Sequence, residues 1–153
     1  ETLPLLEEEL LLAVPRQHPL ATGERRVRLV QLRQEPFVLL REGAYDLRDQ
    51  TLAACRRAGF EPQVALDGGE MDSMLRFVAA GIGVAILPEM VLAEFSPDRR
   101  DGPVAVRRLQ PMLSRSLVLA RRRDRYFSAA AREFADVLQA AARSRPLPMV
   151  HGR

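Results

Sequence analysis

Two short loops carry the residues of this chain that are best suited to bind a small molecule. Residues 41–46 read REGAYD and residues 67–72 read DGGEMD, and each loop lies between an apolar run of strand length and a helical run. The first N–H groups of a helix lack partners within the helix, and the helix dipole is positive at that end. Such a loop can therefore hold a polar or charged ligand, and its glycines let the backbone approach closely.

The predicted ligand contacts come from both loops. They are Arg41, Glu42, Gly43, Ala44, Tyr45, Asp46, Gly69, Glu70 and Met71. A second interpretation stays open, because Asp46, Asp67 and Glu70 also stand where acidic side chains cap helices, which stabilises a helix by roughly 1 kcal/mol without any ligand. The many acids disfavour a bare carboxylate ligand unless Arg41 or Arg48 offsets them. A zwitterionic, polyol or cationic ligand is therefore an alternative to a simple acid.

Side chains for catalysis, metal binding or redox chemistry are sparse in the sequence. The two histidines are His18, in a turn before a proline, and His151, near the C-terminus. Neither stands in a Ser–His–acid set or in a metal-ligand spacing, so we expect no catalytic residue, no metal site and no cofactor. Cys55 is the single cysteine. It lies among apolar residues of a predicted helix, so we expect a buried thiol and no internal disulfide.

The glycines of the sequence AAGIGVAILP, Gly81 and Gly83, have the spacing found in phosphate-binding loops. They follow a predicted helix and precede a predicted strand, which is the reverse of the order in dinucleotide-binding folds. We therefore expect them to end the helix and to let the chain approach the next strand closely, with no role in phosphate binding.

Composition and charge narrow the class of protein. The chain has 153 residues, of which 47% are hydrophobic and 28% charged, values that are ordinary for one globular domain. Its net charge of +3 is too small to argue for nucleic-acid binding by itself. No apolar run approaches the ~20 residues of a membrane span, and no secretory signal pattern is visible, so we expect a cytoplasmic protein. Because the first residue is Glu, we expect a longer chain.

Residues 36–88 alternate between strand and helix patterns. Strands are predicted at residues 36–40, 62–66 and 83–87, and helices at residues 46–58 and 71–80. This alternation predicts parallel strand pairing with helices over the faces of the sheet. In open sheets of this kind small ligands bind beyond the carboxyl ends of the strands, which is where the two loops lie.

Outside this stretch the patterns are simpler. Residues 3–14, acidic and then strongly apolar, suit a buried strand. Residues 96–103 are predicted to form a polar loop, and residues 104–107 and 116–121 further strands. Residues 126–142 are predicted to form a helix with an apolar stripe on one face. The stripe consists of Phe127, Ala130, Ala131, Phe134, Val137, Leu138 and Ala141. Such a stripe is expected to pack against another element.

Taken together, these segments resemble the effector-binding domain of LysR-type transcriptional regulators. The matching phrases are PLLEEELLLAVPRQHPLA, EPFVLL, RRAGFEPQV, FVAAGIGVAILP and SLVLARRRDRYFSAAAREFADVL, in order from about residue 3 to residue 142. The resemblance implies an α/β, two-lobed fold like that of type II periplasmic binding proteins. This chain would hold the complete second lobe, the hinge strands and the C-terminal helix of the first lobe.

The same resemblance implies a division of the chain. Residues 1–14 would be the crossover strand from the first lobe, residues 15–100 the effector-binding second lobe, residues 101–142 the returning strand and C-terminal helix of the first lobe, and residues 143–153 a disordered tail. The implied hinge residues are Ala13, Val14, Leu119 and Ala120. The rest of the first lobe and a winged helix-turn-helix are expected before residue 1.

The implied function is sensing of a small metabolite in the cleft between the lobes, for a DNA-binding transcriptional regulator. The implied partners are the effector, further copies of the chain in a dimer or tetramer, and DNA through the winged helix outside this sequence, without a membrane. Three alternatives remain open. The chain could belong to a free-standing periplasmic-type binding protein, to a pure assembly module, or to an enzyme related to the prephenate dehydratases, which share a bilobal fold.

Overall fold

A computed structural model describes residues 1–23, 26–43, 46–95 and 102–144. In these ranges the strands are β1 (Thr2–Pro15), β2 (Arg26–Arg28), β3 (Pro36–Leu40), β4 (Gln63–Gly68), β5 (Ala85–Pro88), β6 (Val104–Gln110) and β7 (Leu113–Ala120). The α-helices are α1 (Leu47–Arg57), α2 (Met71–Ala79), α3 (Glu89–Phe95) and α4 (Ala129–Ser144). Short 3-10 helices span Pro19–Ala21 and Leu29–Leu32.

The chain divides into two compact units. Unit 1 comprises Glu1–Glu8 and Ser114–Arg153, and unit 2 comprises Glu9–Leu113. The divisions between these units lie at residues 8/9 and 113/114, and residues 10–15 of β1 pair with β5 and β6 within unit 2. The predicted division of the chain at 14/15, 100/101 and 142/143 stays a prediction.

The predicted hinge residues consequently lie inside the units. Ala13 and Val14 are fully buried in unit 2, where Ala13 pairs with both Ala85 and Val106. Leu119 and Ala120 lie in β7, within unit 1. Their action as a hinge stays a prediction.

The centre of unit 2 is the apolar second half of β1. Leu10, Leu11 and Leu12 are buried, which confirms the predicted buried strand. This half of β1 lies between β5 and β6 and runs antiparallel to both, while β2 runs parallel to β6. The sheet is therefore mixed rather than parallel throughout, because β1 enters the unit from the opposite direction.

The predicted parallel pairing is confirmed for β3 and β4, whose register aligns Leu40 with Gly68. A parallel bridge joins β3 to the start of β5, with Val38 N–H donating to the Val84 carbonyl at 2.9 Å and Val84 N–H donating to the Pro36 carbonyl at 2.8 Å. Two helices follow these strands and bury one face each. The buried side chains are Leu47, Thr51, Ala54 and Cys55 on α1, and Met74, Leu75 and Val78 on α2.

Glycines act at helix ends and at a close backbone approach, as predicted. Gly59 and Gly81 follow α1 and α2 with φ of +84° and +78°, the left-handed conformation typical of a residue just after a helix. At Gly83 a Cβ atom would come within 2.9 Å of the carbonyl carbon of Pro36. Only glycine therefore allows the bridge between β3 and the chain before β5.

Unit 1 is built around the pairing of β7 with β1. The ends of this pair are closed by mutual backbone hydrogen bonds between Glu1 and Arg121, at 3.0 and 2.9 Å. Within it the Arg115 guanidinium donates from Nε to the carboxylate of Glu8 at 2.9 Å, and the Glu8 side chain is completely buried. An ion pair shielded from water therefore joins the two strands.

The C-terminal helix differs from its prediction at its start and in its buried face. α4 begins at Ala129 rather than 126, because the hydroxyl of Ser128 accepts a hydrogen bond from Ala131 N–H at 3.1 Å and caps the helix. Phe127 precedes the helix and lies under the Arg121 guanidinium, 4.7 Å from ring centroid to Cζ. Ala135 is the buried residue of α4, whereas Phe134 and Val137 of the predicted stripe are 63% and 61% exposed.

Several short elements had no clear sequence signal: β2, both 3-10 helices and the seven-residue α3. The predicted loop at residues 96–103 lies mostly outside the described residues. Of the predicted tail at 143–153, Arg143 and Ser144 belong to α4 and the remainder lies outside the described residues.

Candidate ligand-binding site

The two predicted loops lie next to each other at one end of unit 2. β3 leads into α1, and the neighbouring β4 leads into α2. The ladder between the strands extends into the loops, since Arg41 N–H donates to the Gly68 carbonyl at 2.8 Å. Parallel neighbours therefore bring the N-terminal ends of two helices to the same edge of the sheet, where orphan N–H groups can meet one ligand.

Arg48 ties the two loops together. Its Nη1 donates to the carbonyl of Leu40 at 2.7 Å and forms an ion pair with the carboxylate of Asp67. The guanidinium is mostly shielded while Asp67 is half exposed. Arg48 thus offsets the charge of Asp67, as the sequence suggested for the acids in general, and it holds the end of β3, the start of α1 and the end of β4 in one arrangement.

Arg41 supplies a second cation at the site. It is exposed, and a side chain at Gly69 would begin 3.7 Å from its Nη2, so the guanidinium lies over the second loop. Within the described part of the chain Arg41 makes no ion pair.

The capping interpretation is not borne out at Asp46 and Glu70. Both stand at the N-cap of their helix, but neither side chain makes a capping hydrogen bond. Asp46 has helical backbone angles, and its carboxylate instead accepts a hydrogen bond from Gln50 Nε2 at 2.9 Å. The first N–H groups of α1 and α2 are therefore not occupied by these two acids.

The charge balance of the site is acidic. Glu42, Asp46 and Glu70 are exposed, and Asp72 stands in the first turn of α2. Against them stand Arg41 and the positive ends of two helix dipoles, since Arg48 is engaged by Asp67. A cationic or hydroxyl-bearing group suits the carboxylates, and an anionic or carbonyl group suits Arg41 and the helix N–H groups.

The structure describes seven of the nine predicted contact residues and brings them to this one edge: Arg41, Glu42, Gly43, Asp46, Gly69, Glu70 and Met71. Ala44 and Tyr45 lie outside the described residues. The sequence prediction did not include the Arg48–Asp67 link as a feature of the site. A signal existed, since a cation in the first turn of one helix and an acid at the end of the neighbouring strand fall at the same sheet edge.

The thiol of Cys55 and the imidazole of His18 lie outside this site, and the protein itself accounts for the surroundings of both. Burial raises the pKa of the Cys55 thiol to about 11, with Glu61 adding to the effect, and this side chain is fully buried. The Nδ1 of His18 accepts a hydrogen bond from Leu20 N–H at 3.1 Å. Its Nε2 therefore carries the proton and donates to Glu35 at 3.0 Å, which makes His18 the predicted turn residue.

The described residues contain no cluster of three or more His, Cys, Asp or Glu side chains that could hold a metal ion. No helix in the same ranges is both long enough and apolar enough to cross a membrane.

Known proteins similar to this chain are regulators of transcription. A family model described as the LysR substrate binding domain matches residues 1–143. The transcriptional dual regulator GltC of Bacillus subtilis is 41% identical over 93 residues, 61% of this chain and 30% of GltC. The DNA-binding transcriptional dual regulator OxyR of Escherichia coli is 32% identical over 121 residues, 78% of this chain and 38% of OxyR. The chain thus spans 30% to 38% of the length of these two relatives.

Solved structures share the fold. The Synechocystis PCC6803 CcmR regulatory domain, solved in complex with 2-PG, matches with a TM-score of 0.83 at 20% identity, over 95% of this chain and 68% of that one. The C-terminal domain of a probable LysR family regulator from Rhodococcus sp. RHA1 has a TM-score of 0.75 at 28% identity, over 90% of this chain and 66% of that one. These likenesses confirm the predicted α/β fold of the type II periplasmic-binding-protein kind.

Proposed function

The chain belongs to the LysR substrate-binding domain family, and from this premise we propose that its two loops bind a small effector that controls transcription. The observation that carries the proposal is the convergence of the N-terminal ends of α1 and α2 at the carboxyl ends of β3 and β4. Side chains at these two helix starts leave the first N–H groups available, and Arg48 with Asp67 holds the loops in register.

The proposed binding reaction uses groups already fixed by the fold. The helix N–H groups donate to a carbonyl, hydroxyl or carboxylate of the effector, and Arg41 adds a positive charge beside Gly69. Glu42, Asp46 and Glu70 attract a cationic group or accept hydrogen bonds from hydroxyls. We therefore favour a zwitterion or a polyol over a simple dicarboxylate, which would meet more negative than positive charge.

Control of transcription then follows from coupling between two sites. An effector that binds one conformation better shifts the population toward it, typically with a coupling free energy of ~1–3 kcal/mol. We propose that β1 and β7, which carry the chain between the two units, transmit this shift to a DNA-binding part outside this sequence. The CcmR regulatory domain, solved in complex with 2-PG, supports a small-molecule site in this fold.

Replacement of two acids tests the effector site. In the full-length protein, the double variant D46A/E70A should abolish the shift in operator binding caused by an effector while leaving operator affinity without effector within about twofold, because both acids are exposed. Candidate effectors are screened by calorimetry with arginine, inositol, putrescine and succinate as probes of four charge classes.

The matched control is the double variant E133A/D136A, which removes two exposed acids from α4. It should keep the effector response. Equal loss of response in both variants, or loss of DNA affinity together with the response in D46A/E70A, would contradict the proposed site. Tightest binding of succinate would contradict the proposed charge class.

A response to hydrogen peroxide is a second candidate function, because the relatives include a probable hydrogen peroxide-inducible genes activator of Mycobacterium leprae. We propose that Cys55 does not serve it here. This residue is the single cysteine of the sequence, is fully buried, and has a pKa raised to about 11. The reactive form of cysteine is the thiolate, which this environment disfavours.

The proposal also covers the location, the assembly and the DNA contact of the whole protein. We infer a cytoplasmic, non-enzymatic regulator that works as a dimer or tetramer and contacts DNA through a winged helix outside this sequence. One feature supports assembly: β4 pairs only with β3 among the described strands and leaves Val64 43% exposed on an open sheet edge. The mass of the full-length protein in solution tests this point. Family membership disfavours the alternative of a free-standing binding protein.

A further inference from the structure

A second concave site lies in unit 2, beside the C-terminal end of α1. Its walls are formed by Ala54 and Arg57 of α1, the C-cap residue Ala58, Leu29 of a 3-10 helix, Pro111 and Met112 of the turn after β6, and Leu113 at the start of β7. We call it the α1 groove. The two loops proposed to bind the effector, residues 41–46 and 67–72, lie at the other end of α1, roughly 15 Å away by the rise of an 11-residue helix. The groove is therefore separate from the site described above.

The α1 groove has the size and lining of a small ligand site. Its volume of about 320 Å³ falls at the lower end of the range for ligand pockets. Leucine, alanine, proline and methionine side chains form its walls. Met112 is 66% exposed, and methionine is an adaptable residue that packs against ligands of varied shape. The walls thus suit an apolar molecular body.

Arg57 is the charged group of the lining, and the described residues offer it no carboxylate. It is exposed and forms no ion pair with any of them, whereas its neighbour Arg56 faces Glu61 at 3.9 Å. The carbonyls at this helix end are engaged within the protein: Ala58 N–H donates to the Ala54 carbonyl, and Arg33 Nη2 donates to the Gly59 carbonyl at 3.0 Å. Arg57 is therefore the group of the lining that can pair with an anion.

Two further arginines lie next to segments of the groove along the chain. Arg28 directly precedes Leu29, and Arg33 donates to the Gly59 carbonyl just after α1. Neither is in an ion pair with a described residue. The groove itself combines apolar walls with one cationic side chain, Arg57, in contrast to the acidic loops at the start of α1.

We propose that the α1 groove is an accessory site for a small amphipathic monoanion, with one carboxylate against Arg57 and an apolar ring or short chain against Met112, Leu113 and Leu29. A neutral apolar molecule would lose the charge contact, and a compact polyanion would leave the apolar walls uncovered. For a ligand of about ten heavy atoms the expected dissociation constant is on the order of 1 mM.

Fluorine NMR on the full-length protein tests the proposal, with 4-fluorobenzoate as probe and the uncharged 4-fluorobenzamide as its matched control. The benzoate should bind more tightly than the amide. Arg57→Gln should weaken benzoate binding about threefold to fivefold, as expected for a partly exposed charge pair, and should leave the amide unaffected. Arg56→Gln, which removes an arginine from the same helical turn, should leave both probes within about twofold.

A second pair of variants blocks the groove without disturbing the core. Met112→Glu places a carboxylate beside Arg57 on an exposed side chain, and it should weaken benzoate binding about tenfold or more because it occupies the cation and repels the anion. Met112→Gln has nearly the same shape without the charge and should weaken the binding by less than about threefold, judged from the modest cost of neutral changes at exposed positions.

Three results would overturn the proposal: equal affinity for benzoate and benzamide, equal effects of R57Q and R56Q, or benzoate binding that survives M112E. The D46A/E70A variant separates the two sites. Its loss of benzoate binding would put the probe in the effector loops and end the proposal for the groove, whereas retained binding together with a lost effector response supports both.

Discussion

The two compact units of this chain differ in the interactions that stabilise each unit internally. Unit 2 buries apolar side chains from β1, β3, β5 and two helices, and Gly83 lets the chain before β5 approach the backbone of β3 closely. In unit 1 a strand pair carries ion pairs, Glu8 with Arg115 and Glu1 with Arg121, and α4 exposes Phe134 and Val137. Apolar packing gives unit 2 its stability, whereas unit 1 depends on a few polar links.

The largest expected effect comes from breaking the buried link of unit 1. Arg115→Met leaves the Glu8 carboxylate buried without its guanidinium, which should lower the free energy of unfolding by about 3 kcal/mol. Hydrogen exchange should rise in residues 2–8 of β1 and in β7 before it rises in β3, β4 and β5. The double variant E8Q/R115M should regain part of the loss, because it removes the buried charge. An equal rise in hydrogen exchange across both units would contradict the view that unit 1 depends on its polar links more than unit 2 does.

The second-largest loss of stability is expected at the close approach of Gly83 to the backbone of Pro36 in unit 2. Gly83→Ala forces a methyl group against the backbone of Pro36, and the expected loss of stability is about 2–3 kcal/mol, since backbone on both sides has to move. Gly81→Ala is the matched control. It has open space around it but positive φ, so it should cost about 1–2 kcal/mol. Chemical denaturation of both variants measures the difference, and a smaller loss in G83A than in G81A would contradict the packing argument.

A third effect depends on pH and also belongs to unit 2. Folding raises the pKa of Cys55 from 9.0 to about 11, so the folded state keeps its proton where the unfolded state loses it. Stability is therefore fully present below pH 9 and falls as pH rises through 11, by about 3 kcal/mol in total. Denaturation at pH 8, 9, 10 and 11 measures the slope. In C55A this part of the slope should be absent; an unchanged slope would contradict the assigned burial.

The smallest effect is expected on the exposed face of α4. Phe134→Ala in this chain should change the free energy of unfolding by less than about 0.5 kcal/mol, as is usual for exposed positions. Val78→Ala in α2 is the control, and it should cost about 2 kcal/mol because this side chain is fully buried. Thermal unfolding of both variants measures the two losses of stability. A large loss in F134A would mean that the stripe is packed.

Regular helices were predictable wherever local signals agreed. The apolar periodicities of α1 and α2, with Gly59 and Gly81 just beyond their ends, identified both helices to within one or two residues. The start of α4 was missed by three residues, because the apolar period continues through Phe127 while the cap is formed by Ser128. Periodicity reports which face is apolar, but a single hydrogen bond decides where a helix begins.

Short and non-local elements were not predictable in the same way. Seven-residue α3 and three-residue β2 are too short to be stable alone, so the neighbouring elements decide their conformation. The antiparallel pairing of β1 with β5 and β6 joins residues more than 70 positions apart, as between Leu11 and Leu87. An apolar run indicates a buried strand without naming its neighbours or its direction.

The sequence by itself determined the family, the alternation of strands and helices, and the two loops at the helix starts, because these depend on local composition and short-range spacing. Tertiary structure alone decided which charges meet: Arg48 joins Asp67 from 19 residues away, Glu8 joins Arg115 from 107 away, and Arg57 faces apolar walls from three separate segments. The physical reason is that an ion pair or a groove requires groups to be close in space, and only the packed sheet and helices bring these residues together.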